Sequence, residues 1–276
     1  MRNGDFSFEF FPPKTEEGMQ KLRATRAQLQ QLKPRFFSVT YGAGGSTRDR
    51  TLEAVLDIQR DGFQAAPHLS CIGSTRADLR ETLNLYKSHG IRHTVALRGD
   101  LPSGLVDFGE LRYANELVEF IRKETGDWFH IEVACYPEMH PQARSPQDDL
   151  AAFKRKVDAG ASGAITQYFY NADAYFRFVD EARAQGINIP IVPGIMPVAT
   201  YTQLARFSEM CGAEIPRWMR LKLASYGDDR ASIRSFGLDV VTEMCDRLLT
   251  QGAPGLHFYT LNTAGLSSTL WQRLGL

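Results

Sequence analysis

The chain has 276 residues, of which 43% are hydrophobic and 23% charged, a profile typical of a globular protein in water. Its 32 basic residues balance 32 acidic ones, whereas nucleic-acid binding normally leaves a basic excess. No apolar run approaches the roughly 20 residues of a membrane helix, so we expect neither nucleic acid nor membrane as a partner. Four widely spaced cysteines and a start without a signal-peptide core predict a reducing cytoplasm.

About eight short apolar runs alternate with helix-length amphipathic segments, which predicts a single-domain α/β protein, a closed (β/α)8 TIM barrel. The predicted strands are residues 6–11, 36–40, 64–70, 93–97, 129–135, 164–169, 189–192 and 256–260. The predicted helices are 15–31, 47–60, 75–89, 110–123, 172–185 and 266–273, with a further helix that begins at Ser145 and Pro146. Three helices, 201–210, 216–224 and 228–249, form an enlarged seventh connection. A doubly wound open sheet is the alternative, but it would need fewer units and a topological switch point.

Polar residues follow the predicted strands, at the end of the barrel where active sites of this fold lie. The strand ends supply Glu9, Thr40, His68, the turn Arg98-Gly99-Asp100, Tyr136 with His140, Gln167, and Tyr259 with Asn262. Because parallel strands bring these ends to one mouth, we expect a single active site there.

Glu9 stands between Phe8 and Phe10 at the end of an aromatic strand. Burial raises the pKa of a carboxyl group, and a neighbouring acid raises it further. The sequence therefore predicts a proton donor that works near neutral pH. The alternative is a structural strand residue paired with Arg98.

Two further patterns suit an anionic or planar ligand. In the turn at Arg98, glycine lets a ring or phosphate approach the main chain, although an ordinary turn with a local ion pair has the same residues. The basic run Lys154-Arg155-Lys156 suits a diphosphate, although such a run is usually a solvated helix face.

The histidines lack the close spacing of metal ligands on an early strand, so we expect no metal site. His93, His130 and His257 fall inside strands, where packing or surface roles are expected. The sixth strand ends in Gln167 and carries no lysine, which argues against a Schiff-base aldolase.

Eight segments follow one another in an order that closely resembles the methylenetetrahydrofolate reductase family, in its short bacterial-type form. They are residues 8–13, 39–43, 66–69, 96–100, 136–138, 154–161, 165–167 and 257–262. The resemblance implies an FAD-containing (β/α)8 barrel that reduces 5,10-methylenetetrahydrofolate to 5-methyltetrahydrofolate with NAD(P)H, by ping-pong kinetics. It also implies a catalytic barrel over residues 1–276 without a regulatory domain, a homo-oligomer, and a place in one-carbon metabolism and methionine biosynthesis.

The resemblance assigns roles to individual residues. Glu9 matches the general acid that protonates N10 of the folate, and Asp100 matches a carboxylate that lies beside both flavin and pterin. Gln167 matches a residue shared by folate and nicotinamide, while Gln203 and Phe207 match folate contacts. The matching FAD or nicotinamide positions are Thr40, Tyr41, Ala43, His68, Arg98, Gly99, Asp100, Tyr113, Tyr136, His140, Ala143, Asp149, Arg155 and Lys156.

Two positions depart from the family pattern. Thr263 stands where many members carry arginine, which affects one folate contact, and Ala152 replaces a polar residue that bonds FAD in some relatives. Two other functions stay open: a folate-dependent methyltransferase that needs no flavin, and a catalytically silent binding barrel. Against the silent barrel stands the expected buried acid pair, Glu9 and Asp100.

Overall fold

The computed structural model describes residues 4–41, 48–100 and 109–276. Its strands are β1 Asp5–Phe10, β2 Phe36–Val39, β3 Ala65–Ser70, β4 His93–Leu97, β5 His130–Cys135, β6 Gly163–Thr166, β7 Ile191–Val192, β8 Gly194–Ile195 and β9 Gly255–Tyr259. Its helices are α1 Glu16–Gln30, α2 Arg48–Arg60, α3 Arg76–Ser88, α4 Ala114–Thr125, α5 Pro146–Asp158, α6 Ala172–Ala184, α7 Tyr201–Cys211, α8 Arg217–Ser225, α9 Arg230–Thr250 and α10 Gly265–Leu274. All strand pairs are parallel, in the order β7-β6-β5-β4-β3-β2-β1-β9-β8, which confirms the predicted TIM-barrel fold. Among the described residues, no helix combines the length and apolarity needed to cross a membrane.

The ring closes at Pro193. Residues before it pair with β6 and residues after it pair with β9, so β7 and β8 are two halves of one strand. The predicted end at residue 192 is confirmed for β7, but the prediction missed β8, in which pairing resumes after Pro193. Proline interrupts the ladder because it has no N–H, but its carbonyl still accepts from the His257 N–H at 3.0 Å, and the Gly194 N–H donates to Thr166 Oγ1 at 2.9 Å.

Side chains of β1 alternate between two environments. Phe6, Phe8 and Phe10 are buried in the large core beneath the helices, and the Phe8 ring lies 5.4 Å from that of Phe258. Ser7 and Glu9 point to the opposite, inner face of the barrel. This face combines a small apolar cluster with polar groups, so part of the barrel interior is available for chemistry.

Local hydrogen bonds explain where several elements begin and end. Ser145 accepts from the Asp148 N–H with Pro146 in the first turn, as predicted. Helix α4 begins four residues later than predicted, at Ala114, because the Glu116 carboxylate accepts the two N–H groups before the helix. Strand β6 ends at Thr166 rather than at 169, because the Tyr168 N–H turns to Gln167 Oε1 at 3.0 Å.

Candidate active site

Glu9 occupies the expected place at the C-terminal end of β1. Its Oε2 lies 3.3 Å from His68 Nε2 and 3.4 Å from His257 Nε2, and Ser38 Oγ lies 3.5 Å away. The Glu9 side chain is 18% exposed, whereas His257 is fully buried. The structure thus places the carboxylate between two imidazoles on neighbouring parts of the barrel wall.

The pKa of Glu9 differs from the expectation. Burial alone would raise it, but Coulomb attraction to His68 and a hydrogen bond with His257 outweigh burial and lower the pKa to about 2. The prediction of a raised pKa was wrong because Glu9 faces two bases rather than a second acid. In the described structure, Glu9 is a carboxylate that must gain a proton before it can donate one.

His257 was missed as a site residue because it lies inside a strand. Its Nδ1 lies 2.7 Å from Ser7 Oγ, while its Nε2 faces Glu9. The two ring nitrogens thus link a buried hydroxyl to the carboxylate. The signal in the sequence was the two-residue period: His257 and Tyr259 share the inner face of β9.

The Arg98-Gly99-Asp100 turn does not pair with Glu9. Arg98 Nη1 donates to Gln142 Oε1 at 2.7 Å, so the alternative of a Glu9–Arg98 ion pair is wrong. Gly99 has φ of +90°, and a Cβ there would lie 2.0 Å from Ser70 Oγ, so glycine is required at this position. Asp100 is exposed, and the expected buried acid pair is therefore wrong.

The loop after β5 is held by hydrogen bonds that its backbone N–H groups donate. The His140 N–H donates to Asp149 Oδ2 at 2.8 Å, and the Ala143 N–H donates to the His140 carbonyl at 2.9 Å. The rings of Tyr136 and His140 meet edge-to-face at 4.6 Å. Burial raises the pKa of Tyr136 and lowers that of His140, so both rings present neutral surfaces at the mouth.

The basic run on α5 does not form one cluster. Lys154 pairs with Asp158 at 2.7 Å, and Arg155 is exposed. Lys156 turns inward, and its Nζ donates to the Ala134 carbonyl at 2.5 Å. Burial lowers the pKa of Lys156. The part of the run that reaches the barrel is thus a single buried amine.

The residues expected to contact folate lie on two elements. Gln167 directly follows β6 and is half-buried, and Gln203 and Phe207 lie one turn apart on α7, both half-buried. Their spacing places the latter two on one helix face.

Two mouth residues have structural contacts instead. The Tyr259 hydroxyl donates to the Thr166 carbonyl at 2.7 Å. Asn262 accepts from the Phe11 N–H at 3.0 Å and donates to the Phe11 carbonyl at 2.8 Å. These bonds hold the ends of β9 and β1 together beside Glu9.

The remaining predicted positions are less informative. Thr40 and Tyr41 are half-buried, and the Tyr113 side chain is largely exposed. Ala43 lies outside the described residues. Thr263 Oγ1 donates to the Thr260 carbonyl at 3.0 Å, and Ala152 is half-buried on α5.

The sequence profile of the family described as methylenetetrahydrofolate reductase matches residues 2–275. The chain belongs to the methylenetetrahydrofolate reductase family. It is 46% identical over 270 residues to the 5,10-methylenetetrahydrofolate reductase of Salmonella typhimurium, covering 98% of this chain and 90% of that protein. The Escherichia coli enzyme of the same name is 45% identical with the same coverage. The chain is therefore an enzyme, an oxidoreductase.

Two further relatives differ in length or sequence. The Arabidopsis thaliana protein named methylenetetrahydrofolate reductase (NADH) 1 is 40% identical, and the match covers 98% of this chain but 48% of the plant protein. A solved Clostridium thermocellum structure superposes with a TM-score of 0.67 at 15% identity, over 99% of this chain and 95% of that one. That protein is described as binding two copies of 5-methyl-5,6,7,8-tetrahydrofolic acid. At this identity the likeness supports the barrel fold.

Proposed function

We propose that this member of the methylenetetrahydrofolate reductase family reduces 5,10-methylenetetrahydrofolate to 5-methyltetrahydrofolate, with FAD as cofactor and NAD(P)H as electron donor. The observation that supports it most directly is the Glu9 carboxylate at the barrel mouth, with two imidazoles within 3.4 Å of one oxygen. Opening the five-membered ring of the substrate requires a proton on N10, and Glu9 is the acid placed to supply it.

The two histidines give Glu9 a source of that proton. A proton that moves from Nε2 of His68 or His257 to Glu9 Oε2 turns an ion pair into two neutral groups. A bound substrate favours this exchange because it displaces water, and loss of water penalises charged groups. Glu9 then transfers the proton to N10, the bond from N10 to the methylene carbon breaks, and Glu9 returns to its ionised form. The histidine regains its proton from solvent after the product leaves.

The mouth residues fit FAD. Arg98, half-buried beside Gly99, supplies positive charge for a diphosphate, and the Tyr136 ring supplies a planar surface. When bound, FAD takes electrons from NAD(P)H and supplies the hydride that completes reduction of the one-carbon unit. We assign Asp100, from its place directly after Gly99, to hold the substrate beside the cofactor.

The substrate residues complete the proposal. The Gln167 side-chain oxygen accepts from the Tyr168 N–H, so its amide NH₂ can donate to a ligand. Gln203 adds polar atoms and Phe207 an aromatic face from the same side of α7. Such a combination suits a pterin, which is planar and carries donors and acceptors at its edge.

The barrel by itself accounts for the site, and we propose that it forms the catalytic unit. The resemblance also implies a homo-oligomer in the cytoplasm, which light scattering on the purified protein and fractionation of cells would test.

An absorption spectrum followed by anaerobic titration tests the proposed function. We expect flavin bands that bleach with NADH or NADPH and return when 5,10-methylenetetrahydrofolate is added. Parallel titrations with the two nucleotides identify the preferred donor. A protein without a chromophore that also fails to bind added FAD would contradict the proposal and favour a flavin-independent folate enzyme.

A further inference from the structure

A second polar cluster, here called the base cluster, lies at the opposite end of the barrel and consists of His93, His130 and Glu132. His93 and His130 are the first residues of β4 and β5, and the register pairs them side by side. Glu132 lies two residues after His130, so it points to the same inner face. The strand pairing thus brings two imidazoles and a carboxylate together from residues 39 positions apart.

The distances within the base cluster are close to those of a metal site. His130 Nε2 lies 3.0 Å from Glu132 Oε1, and His93 Nε2 lies 3.5 Å from the same oxygen. One ligand atom from each residue lies within 4.8 Å of the other two. Around Zn²⁺, with bonds of about 2.0–2.1 Å, tetrahedral ligand atoms stand about 3.3 Å apart. Small side-chain adjustments would therefore satisfy the coordination.

Two polar atoms of the base cluster have no hydrogen-bond partner among the described residues. They are His93 Nε2 and Glu132 Oε2, and both side chains are 6% exposed. Such unpaired buried groups are costly, and a charged carboxylate is more costly than a neutral group. A cation between the three side chains would give His93 Nε2 a partner and would neutralise the carboxylate charge.

The surroundings fix the base cluster in place. The Phe36 ring lies 4.3 Å from the His93 ring, and the His93 and His130 rings meet edge-to-face at 4.7 Å. Gly163 on β6 makes room for the carboxylate, since a Cβ there would lie 2.4 Å from Glu132 Oε2. The nearby Arg35 cation forms an ion pair with Asp5.

We propose that His93, His130 and Glu132 bind a divalent transition-metal ion of the Zn²⁺ class at the N-terminal end of the barrel. Two imidazoles and one carboxylate are the donors that Zn²⁺ and its neighbours prefer, whereas Ca²⁺ and Mg²⁺ prefer oxygen alone. The His130 side chain is 36% exposed and gives the ion a route from solvent. The ion would tie β4 to β5.

This site is separate from the folate chemistry. His93 and His130 lie at the N-terminal ends of β4 and β5, whereas Glu9 lies at the C-terminal end of β1. The metal site can therefore be tested independently of the proposed reaction.

Equilibrium dialysis of the full chain against chelator-buffered Zn²⁺, with elemental analysis, tests the site. His130→Gln removes one ligand at a half-exposed position, where we expect the fold to survive, and Glu132→Gln removes the carboxylate. His89→Gln is the matched control, because His89 is exposed at the end of α3. Thermal unfolding with and without Zn²⁺ provides a second readout.

We expect wild type and His89→Gln to bind one more Zn²⁺ ion than His130→Gln, and to gain melting temperature with Zn²⁺ when the variant does not. Loss of a residue that only hydrogen-bonds to a metal ligand costs about 10–100-fold in metal affinity. Loss of a direct ligand should therefore cost at least about 100-fold. Unchanged Zn²⁺ affinity in His130→Gln, or a wild-type chain that binds no Zn²⁺, would overturn the proposal. If Glu132→Gln fails to fold, His130→Gln still decides.

Discussion

His257 Nε2 lies 3.4 Å from the Glu9 carboxylate, although the two residues stand 248 positions apart in the chain. The contact exists because β9 pairs with β1, with Ser7 beside His257 and Glu9 beside Tyr259. Closure of the barrel at Pro193 places β9 there. The geometry of the proposed proton donor thus depends on the last strand as much as on the first.

The low pKa of Glu9 predicts a specific pH dependence of stability. Folding favours the ionised form, since the pKa falls from 4.5 to about 2 under the charges of His68 and His257, with Tyr259 also nearby. The stabilisation is present above about pH 4.5 and is lost as pH falls towards 2. In urea unfolding, the stability difference between wild type and Glu9→Gln should shrink by up to about 3 kcal/mol across this range.

The control for that experiment is Glu243→Gln, an exposed position in the middle of α9, and its stability difference from wild type should stay small across this range. A constant difference between wild type and Glu9→Gln from pH 5 down to the acid transition would show that Glu9 has no depressed pKa.

The substitution Asp100→Asn should change both the flavin reduction potential and the affinity for folate. The charge of Asp100 acts on the neighbouring Tyr136 and His140, so it acts across the mouth. Without it, reduced flavin is less disfavoured and the flavin potential should rise, while loss of a charge-assisted hydrogen bond should weaken folate binding about ten- to a hundredfold. Dye-equilibrated potentials and folate titrations measure both, with the exposed Asp127→Asn as control. Wild-type values for both quantities would place Asp100 outside the site.

Gly194→Ala should destabilise the barrel at its closure. A Cβ at Gly194 would lie 2.2 Å from the Thr166 carbonyl oxygen and 2.6 Å from Tyr259 Cε2, and neither atom is at the end of a flexible side chain. Overpacking costs about 1–3 kcal/mol, and we expect the upper end of this range in urea unfolding. Gly265→Ala is the control, because nothing lies within 4 Å of its Cβ position. Equal stability of the two variants would show that the closure can shift freely.

The sequence was sufficient to predict the fold, because the periodicity of apolar residues in strands and helices is a local signal. It placed Glu9 and His68 at the same mouth, since parallel strand ends must meet there. It missed β8, because a proline ends most strands but here the pairing resumes directly after Pro193.

The electrostatics of the site could not be predicted from local pattern. The pKa of Glu9 depends on which side chains face it, and His257 reaches it from the other end of the chain. The base cluster was not predicted either, because His93 and His130 become neighbours only through the register of β4 and β5.

A shared site for the two substrates predicts ping-pong kinetics. If nicotinamide and folate both use Gln167, they cannot bind together. Double-reciprocal plots at several fixed concentrations of the second substrate should give parallel lines. Intersecting lines, together with a measurable ternary complex, would show that nicotinamide and folate bind at different sites and would contradict the prediction.

The central claim is that Glu9 supplies the proton for the folate step alone. Anaerobic stopped-flow mixing of wild type and Glu9→Gln measures the two half-reactions separately. Glutamine cannot donate that proton, so flavin reduction by NAD(P)H should keep its wild-type rate while reoxidation by 5,10-methylenetetrahydrofolate slows by about 10²–10⁴-fold. If Glu9→Gln slowed both half-reactions equally, Glu9 would be a structural or cofactor-positioning residue, and the account would be contradicted.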